Sequence, residues 1–380
     1  MCHRIELLLS LFLTLASLAS VARSVAITCS TTTSTLEDLV ACFERLTIPR
    51  DYYTCTTYAI AQPQTSPVNE FTGWTDAITR LLNADGTCAL PPNSPISSSY
   101  TVSRFTDAIT RDPYCVLHET NAVVSPTRGT RFEKGWGVFI VPANNVPSIR
   151  PLHFSVPHPL FDTGTPAQAA ITLKRTVSKS LLIEGRHRHA LSSVSAGGSC
   201  FESCQGAEYD RTDGAHDNRE PFHLAMVAIR AWQNTHGGCP LTRCSYIQWH
   251  GKNDATCTAD HVFLSSGFDS GPPAGSSSGN CYSDPDLPVN RIKAQLNGWF
   301  PPPRYHATPS DDPSCTKLTA TDNIFGRLVN GVPEADVCTT PATRCGGSDY
   351  GQFVHIEQDS VSRDEANWGR WANVILGAFP

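Results

Sequence analysis

The chain has 380 residues, 17% of them charged, and a formal net charge of −6. With no basic excess, nucleic acid and anionic membrane surfaces are excluded as its main partners. The length is enough to bury a large core, in one α/β domain or in two smaller units.

His3 and Arg4 precede an apolar stretch at 7–18 and small-residue sequences around Ala22 and Ala26. This pattern predicts a secretory signal peptide over 1–22, with cleavage as late as residue 26. The stretch is too short for a membrane span and no later segment is long enough, so a secreted, extracellular protein without a membrane span is expected. Of fifteen cysteines, Cys2 would leave with the signal, and the remaining fourteen suit a disulfide framework better than zinc-binding pairs. Cys29, Cys42, Cys55, Cys88 and Cys115 precede residue 152, and nine more lie between Cys200 and Cys345. Both counts are odd, so complete pairing requires at least one bridge between the halves. The connectivity itself cannot be read.

Residues 23–112 read as a helical, disulfide-pinned N-terminal cap or subdomain. Ser34 and Glu37 have capping-box spacing ahead of LEDLVACFERL, and 71–83 reads as a second amphipathic helix. Residues rich in Pro, Ser, Thr and Asn mark loops at 62–69 and 91–99. Residues 113–380 read as one α/β domain. The runs YCVLHET, GWGVFIVP and LHFSVP suggest its opening strands. The strand at 152–156 leads into VPHPLFDTGT, which presents His158 and Asp162. A helix over 165–180 follows, capped by Thr165 with Pro166 at its first position. The next strand, 181–185, leads into Arg186, His187, Arg188 and His189. After Asp213 and His216 come a helix at 220–236, the strand SYIQWHG carrying His250, and a strand at 261–267. A loop at 270–278, a helix at 287–299 and an irregular stretch at 301–315 precede a last strand carrying His355 and Glu357. A helix over 363–379 closes the chain. This alternation predicts an α/β fold with a mainly parallel or mixed sheet and helices on both faces.

Ligands bind at the carboxyl ends of the strands in such sheets. His158, Asp162 and His250 fall there, and two imidazoles with one carboxylate can hold Zn²⁺ tetrahedrally, leaving the fourth position open. Glu357 suits a general base and Arg186 a clamp for a substrate carboxylate or an oxyanion. Asp213 and His216 could orient a ligand imidazole from behind or simply anchor a loop, and both readings stand. Arg363 and Arg327 are candidate substrate contacts, against the plainer readings of a helix-end charge and a turn residue. His187, His189, His223 and His355 read as packing or surface residues. No Gly-x-Ser-x-Gly elbow stands at a strand end, which argues against a serine hydrolase.

PHPLFDTGT, then IQWHG with VFLSSG, then VHIEQDSVSR resemble, in that order, motifs of the zinc carboxypeptidase-like superfamily. The likeness is to its N-formylglutamate amidohydrolase and poly-gamma-glutamate hydrolase branches, and it spans 135–380. The resemblance implies a phosphorylase/hydrolase-like fold, Zn²⁺ on His158, Asp162 and His250, and Glu357 as the catalytic carboxylate. The implied substrate is a peptide or acyl-amino acid. The chain departs from the pattern in having three residues rather than two between the histidine and the acid, and Asp as that acid. The alternative is a secreted binding or structural protein that keeps the fold without the activity. The substrate's identity and the oligomeric state do not follow from the sequence.

Overall fold

Nine strands of the chain join in one sheet: β1 (Tyr100–Thr106), β2 (Pro113–Glu119), β3 (Val138–Pro142), β4 (Arg150–Val156), β5 (Ser178–Ile183), β6 (Ser245–Gly251), β7 (Asp260–Ser265), β8 (Tyr305–Ala307) and β9 (Phe353–Gln358). The computed structural model describes residues 23–192, 200–271, 279–296, 299, 305–342, 345 and 350–380. The expected signal peptide, 1–22, lies outside them. The spatial order is β8-β7-β9-β6-β4-β5-β3-β2-β1. The central strands β9, β6, β4 and β5 are mutually parallel. Antiparallel pairing begins at β7 on one side and at β3 on the other. β5 is buried at every residue and β6 at all but its last, as parallel strands covered on both faces must be.

Helices flank the sheet. One set contains α1 (Leu36–Glu44), α4 (Thr165–Thr176), α6 (Pro288–Leu296) and α8 (Glu365–Ala378), with α4 packed on α1 and α8. The other contains α3 (Glu70–Leu82), α5 (Pro221–Thr235) and α7 (Ile324–Val329), with α3 packed on α5; the short α2 (Cys55–Ala61) lies in the N-terminal segment. No described helix is long and apolar enough to cross a membrane.

Two local expectations shift. The cap of α1 is Thr35, whose side chain accepts from Asp38 N at 3.2 Å. Glu37 instead receives Lys174 Nζ of α4 at 2.8 and 2.6 Å. Helix α4 is capped by Gly164 in the left-handed region, and it ends at Thr176 because Val177 turns left-handed and the chain enters β5. Pairing of β5 with β4 decides that boundary over helical propensity.

All fourteen cysteines after Cys2 are paired. Cys29–Cys42 and Cys88–Cys115 lie within the N-terminal segment, and Cys55–Cys200 makes the cross-link between halves that the odd counts require. Cys204–Cys338, Cys239–Cys244, Cys257–Cys315 and Cys281–Cys345 hold the remainder. The N-terminal segment also supplies the sheet's edge, since β1 pairs with β2 along its whole length. Trp74 and Tyr100 from this segment share one buried core with Trp136 and the main-sheet strands.

Candidate metal centre

The carboxyl ends of the parallel strands gather the polar residues. After β4 the chain turns through 158–162, where the amides of Phe161 and Asp162 donate to His158 O at 3.2 and 2.9 Å. Leu160 takes a left-handed conformation, φ 65°, uncommon outside glycine. That turn accommodates the third intervening residue and brings the Asp162 carboxylate back toward His158. Strand β6 supplies His250, in register with Glu357 on β9.

His158 Nδ1 lies 3.3 Å from Asp162 Oδ2, and His250 Nδ1 lies 3.3 Å from the same oxygen. The two Nδ1 atoms are 3.2 Å apart. Bonds of 2.0–2.1 Å from a tetrahedral zinc place neighbouring ligand atoms about 3.3 Å apart. The three atoms therefore form a triangle with the dimensions of one face of a coordination tetrahedron. All three side chains are buried.

The opposite ring nitrogens are engaged elsewhere. His158 Nε2 is 2.9 Å from Asp213 Oδ1, and His250 Nε2 is 3.3 Å from Gln248 Oε1, which also receives Asn323 Nδ2 at 2.7 Å. With Nε2 as donor in both rings, both Nδ1 lone pairs face the triangle, the tautomer that metal-binding imidazoles need. Arg188 pairs with Asp213 Oδ2 at 2.5 Å. Burial alone would raise the Asp213 pKa, but Arg188 and His158 outweigh it and hold the acid well below the usual carboxylate range. Burial and Arg188 push His158 down, yet Asp213 and Asp162 raise it overall. Burial drives His250 down to about 4. Burial opposes ionisation of Asp162, but the two imidazoles reverse this and lower its pKa.

Glu357 stands beside this group. Its Oε1 is 3.6 Å from His355 Nε2 and its Oε2 has no hydrogen-bond partner among the described residues. Burial pushes its carboxyl up to about 8, with the charge of Asp162 acting in the same direction. His250, His355 and Glu357 form a second group with donor atoms within 4.8 Å of one another. These residues open onto a cleft of about 460 Å³, whose walls include Arg188, Tyr209, His216 and Asn323. His216 stacks flat on Tyr209 with centroids 3.6 Å apart and bonds through Nδ1 to Gln205 Oε1 at 2.8 Å. It is thus a wall residue, outside the triangle, and burial lowers its pKa to about 3.

Arg186 is placed differently from the expectation. It is fully buried away from the cleft, with NH1 on both Glu220 oxygens at 3.0 and 2.9 Å and its other nitrogens on Lys134 O and Ala61 O. Its donors are committed inside the core, which leaves none for a substrate. Arg327 is likewise buried and bonded to Asp322 and to the carbonyls of Thr321, Val337 and Cys338. Arg363 is half-buried, donates to Thr163 O at 2.9 Å and packs on Gly251. The site residues that sequence reasoning passed over are Arg188, Gln248, Asn323 and His355. Gln248 carries a signal, since it shares the strand face of His250 two residues away. Asn323 carries none, because it arrives from the distant loop before α7.

No family model matches the chain, and no curated protein matches it. Two solved structures overlap it in part, each 12% identical with a TM-score of 0.30. One is a gene product of Agrobacterium tumefaciens, aligned over 60% of this chain and 84% of its own. The other is a metallo-carboxypeptidase from Burkholderia cenocepacia, aligned over 74% of this chain and 75% of its own. Likenesses at that level carry no argument about function.

Proposed function

We propose that the chain is an exported, zinc-dependent hydrolase of an amide or peptide bond, acting on a substrate that bears a carboxylate. The observation that carries this reading is the triangle of His158 Nδ1, Asp162 Oδ2 and His250 Nδ1, with edges of 3.2–3.3 Å and both imidazoles held in the metal-binding tautomer. A mixed nitrogen and oxygen set with an open position suits catalytic zinc. A divalent cation held there supplies a Lewis acid that polarises a carbonyl and lowers the pKa of a water.

The chain's own groups supply the rest. Asp213 orients His158, and Gln248, steadied by Asn323, orients His250. Glu357 has a free carboxylate oxygen and a raised pKa, the properties of a group that accepts a proton from an attacking water and passes it to the leaving amine. Arg188, rather than Arg186, takes the role of the clamp, since it lines the cleft, where Lys317 adds a second cationic group. The motif order in the sequence supports the same reading. The left-handed turn at Leu160 removes the spacing argument for an inactive relative.

The test combines metal analysis with a panel of peptides and N-acyl amino acids. Purified protein should contain one equivalent of zinc, and His250→Ala should remove both metal and turnover. A folded His250→Ala protein that keeps its zinc would sink the assignment.

A further inference from the structure

A second groove lies at the other end of the parallel strands, where β4 and β5 begin. Lys179, the second residue of β5, is only 4% exposed. Among the described residues it has no hydrogen bond or ion pair, and its ammonium instead rests over the Trp232 ring, 4.8 Å from the centroid. Burial of the rest of its side chain pushes this ammonium's pKa down to about 8. The group lines an open cleft of about 570 Å³ together with Asn83, Asn145, Ile149, Pro151 and Trp232. An adjoining cleft of about 530 Å³ shares Ile149 and Pro151 and adds Arg150 and Arg243. No Asp or Glu side chain lines either one, although the last residue, Pro380, lines the second. Trp232 is fixed in place by donating Nε1 to Asn83 Oδ1 at 2.9 Å and by stacking on His236 at 4.1 Å.

We infer that this groove binds a small organic anion, with a carboxylate or phosphate seated on Lys179 and an apolar or aromatic body against Ile149, Pro151 and Trp232. The observations point to an anion because the ammonium lines the cleft with no carboxylate side chain beside it. They point to an apolar body because the groove beside that charge is walled by aliphatic and indole surface, and its volume suits a ligand of that size. The site is separate from the metal centre, which stands at the opposite ends of the same strands.

Benzoate and phenyl phosphate are the probes, titrated separately by calorimetry into the full protein and into the His250→Ala variant. A saturable site equally present in both proteins is expected, apart from any binding at the metal centre of the unsubstituted protein, and Lys179→Met should weaken it roughly tenfold or more. Binding of benzoate alone identifies a carboxylate site, of phenyl phosphate alone a phosphate site, and of both a general oxyanion site. In unsubstituted protein, which needs no refolded variant, the bound probe should slow acylation of Lys179 by acetic anhydride while Lys293 reacts as before. Absence of saturable binding with unchanged Lys179 acylation overturns the inference. So does binding that Lys179→Met leaves intact or His250→Ala abolishes.

Discussion

Replacing Arg186 by Met should damage stability and spare the chemistry. Arg186 is fully buried and contacts both oxygens of Glu220, itself buried, so the substitution leaves a carboxylate in the core without its main counter-charge. Breaking a buried pair from one side typically costs about 3–5 kcal/mol. Glu220 keeps Tyr58 OH at 2.5 Å and Gln62 Nε2 at 2.9 Å as donors, and Met fills most of the vacated stem, which places the loss near the lower end, about 3 kcal/mol. The carbonyls of Lys134 and Ala61 lose the Arg186 donors but keep Tyr53 OH and Trp136 Nε1. Urea unfolding of the oxidised protein, disulfides intact, measures the change. A double variant with Glu220→Gln should recover part of the loss, because it removes the stranded charge. Equal KM for carboxylate-bearing and neutral substrates, relative to wild type, should accompany the destabilisation. If stability stayed within about 0.5 kcal/mol of wild type while KM rose only for carboxylate-bearing substrates, Arg186 would be a substrate ligand and not a core residue.

Glu357→Gln should retain zinc and lose turnover by about 10²–10⁴-fold, read by metal analysis beside steady-state kinetics; a wild-type rate rejects Glu357 as the proton carrier. Asp213→Asn weakens the hold on the His158 tautomer and should lower zinc affinity about 10–100-fold in competition with a chromophoric chelator, whereas unchanged affinity would reduce Asp213 to a loop anchor. His153 is buried neutral between Ser180 and Gln233, and burial lowers its pKa to about 4. Its unfolded pKa is near 6.5, so its contribution to stability is complete above that pH and is lost as pH falls from about 6.5 to 4, at up to about 1.4 kcal/mol per pH unit. His153→Gln should flatten the stability profile in that window, and an unchanged slope would show that another group sets it.

The sequence is most legible where a residue's neighbours are local. SYIQWHG is strand β6 residue for residue, because Tyr246, Ile247 and Trp249 form a short β-prone run between Cys244 and the polar stretch that starts at Lys252. The proximity of His158, Asp162 and His250 follows from that, since parallel neighbours β4 and β6 must present their carboxyl ends on one edge of the sheet. The choice between Arg186 and Arg188 is not local. Ile48 N donates to Gly185 O at 2.9 Å and His187 N donates to Ile48 O at 2.8 Å, so a remote segment of the N-terminal region pairs with 185–187. That pairing carries Arg186 beneath Tyr53 and Tyr58 and leaves Arg188 to the cleft. No periodicity in GRHRHA contains that information. β1 was hidden for a similar reason: its residues follow a loop-rich stretch, and only pairing with β2 makes them the edge of the main sheet.

The electrostatics of the triangle lead to a last expectation, that removing metal will destabilise the fold as well as silence it. Two imidazole lone pairs and a carboxylate oxygen converge within 3.3 Å of one another, inside the protein. One proton can bridge only one pair of these three atoms, and protons on both Nδ1 atoms would face each other across 3.2 Å, so the metal-free state keeps an unfavourable close contact either way. A structural role would be served more cheaply by a single histidine and acid, without a second imidazole turned toward them. A cation satisfies all three donors at once, and because the unfolded chain offers no such triangle, its binding free energy adds to folding. At a free zinc concentration 100 times the dissociation constant, the added stability is about 2.7 kcal/mol. Chelator-treated protein should therefore melt at a lower temperature than the zinc form and recover on zinc addition, and Asp162→Ala should melt identically with and without zinc. If wild type melted at the same temperature in all states, the three groups would not be a metal site, and the zinc-dependent reading would have to be given up.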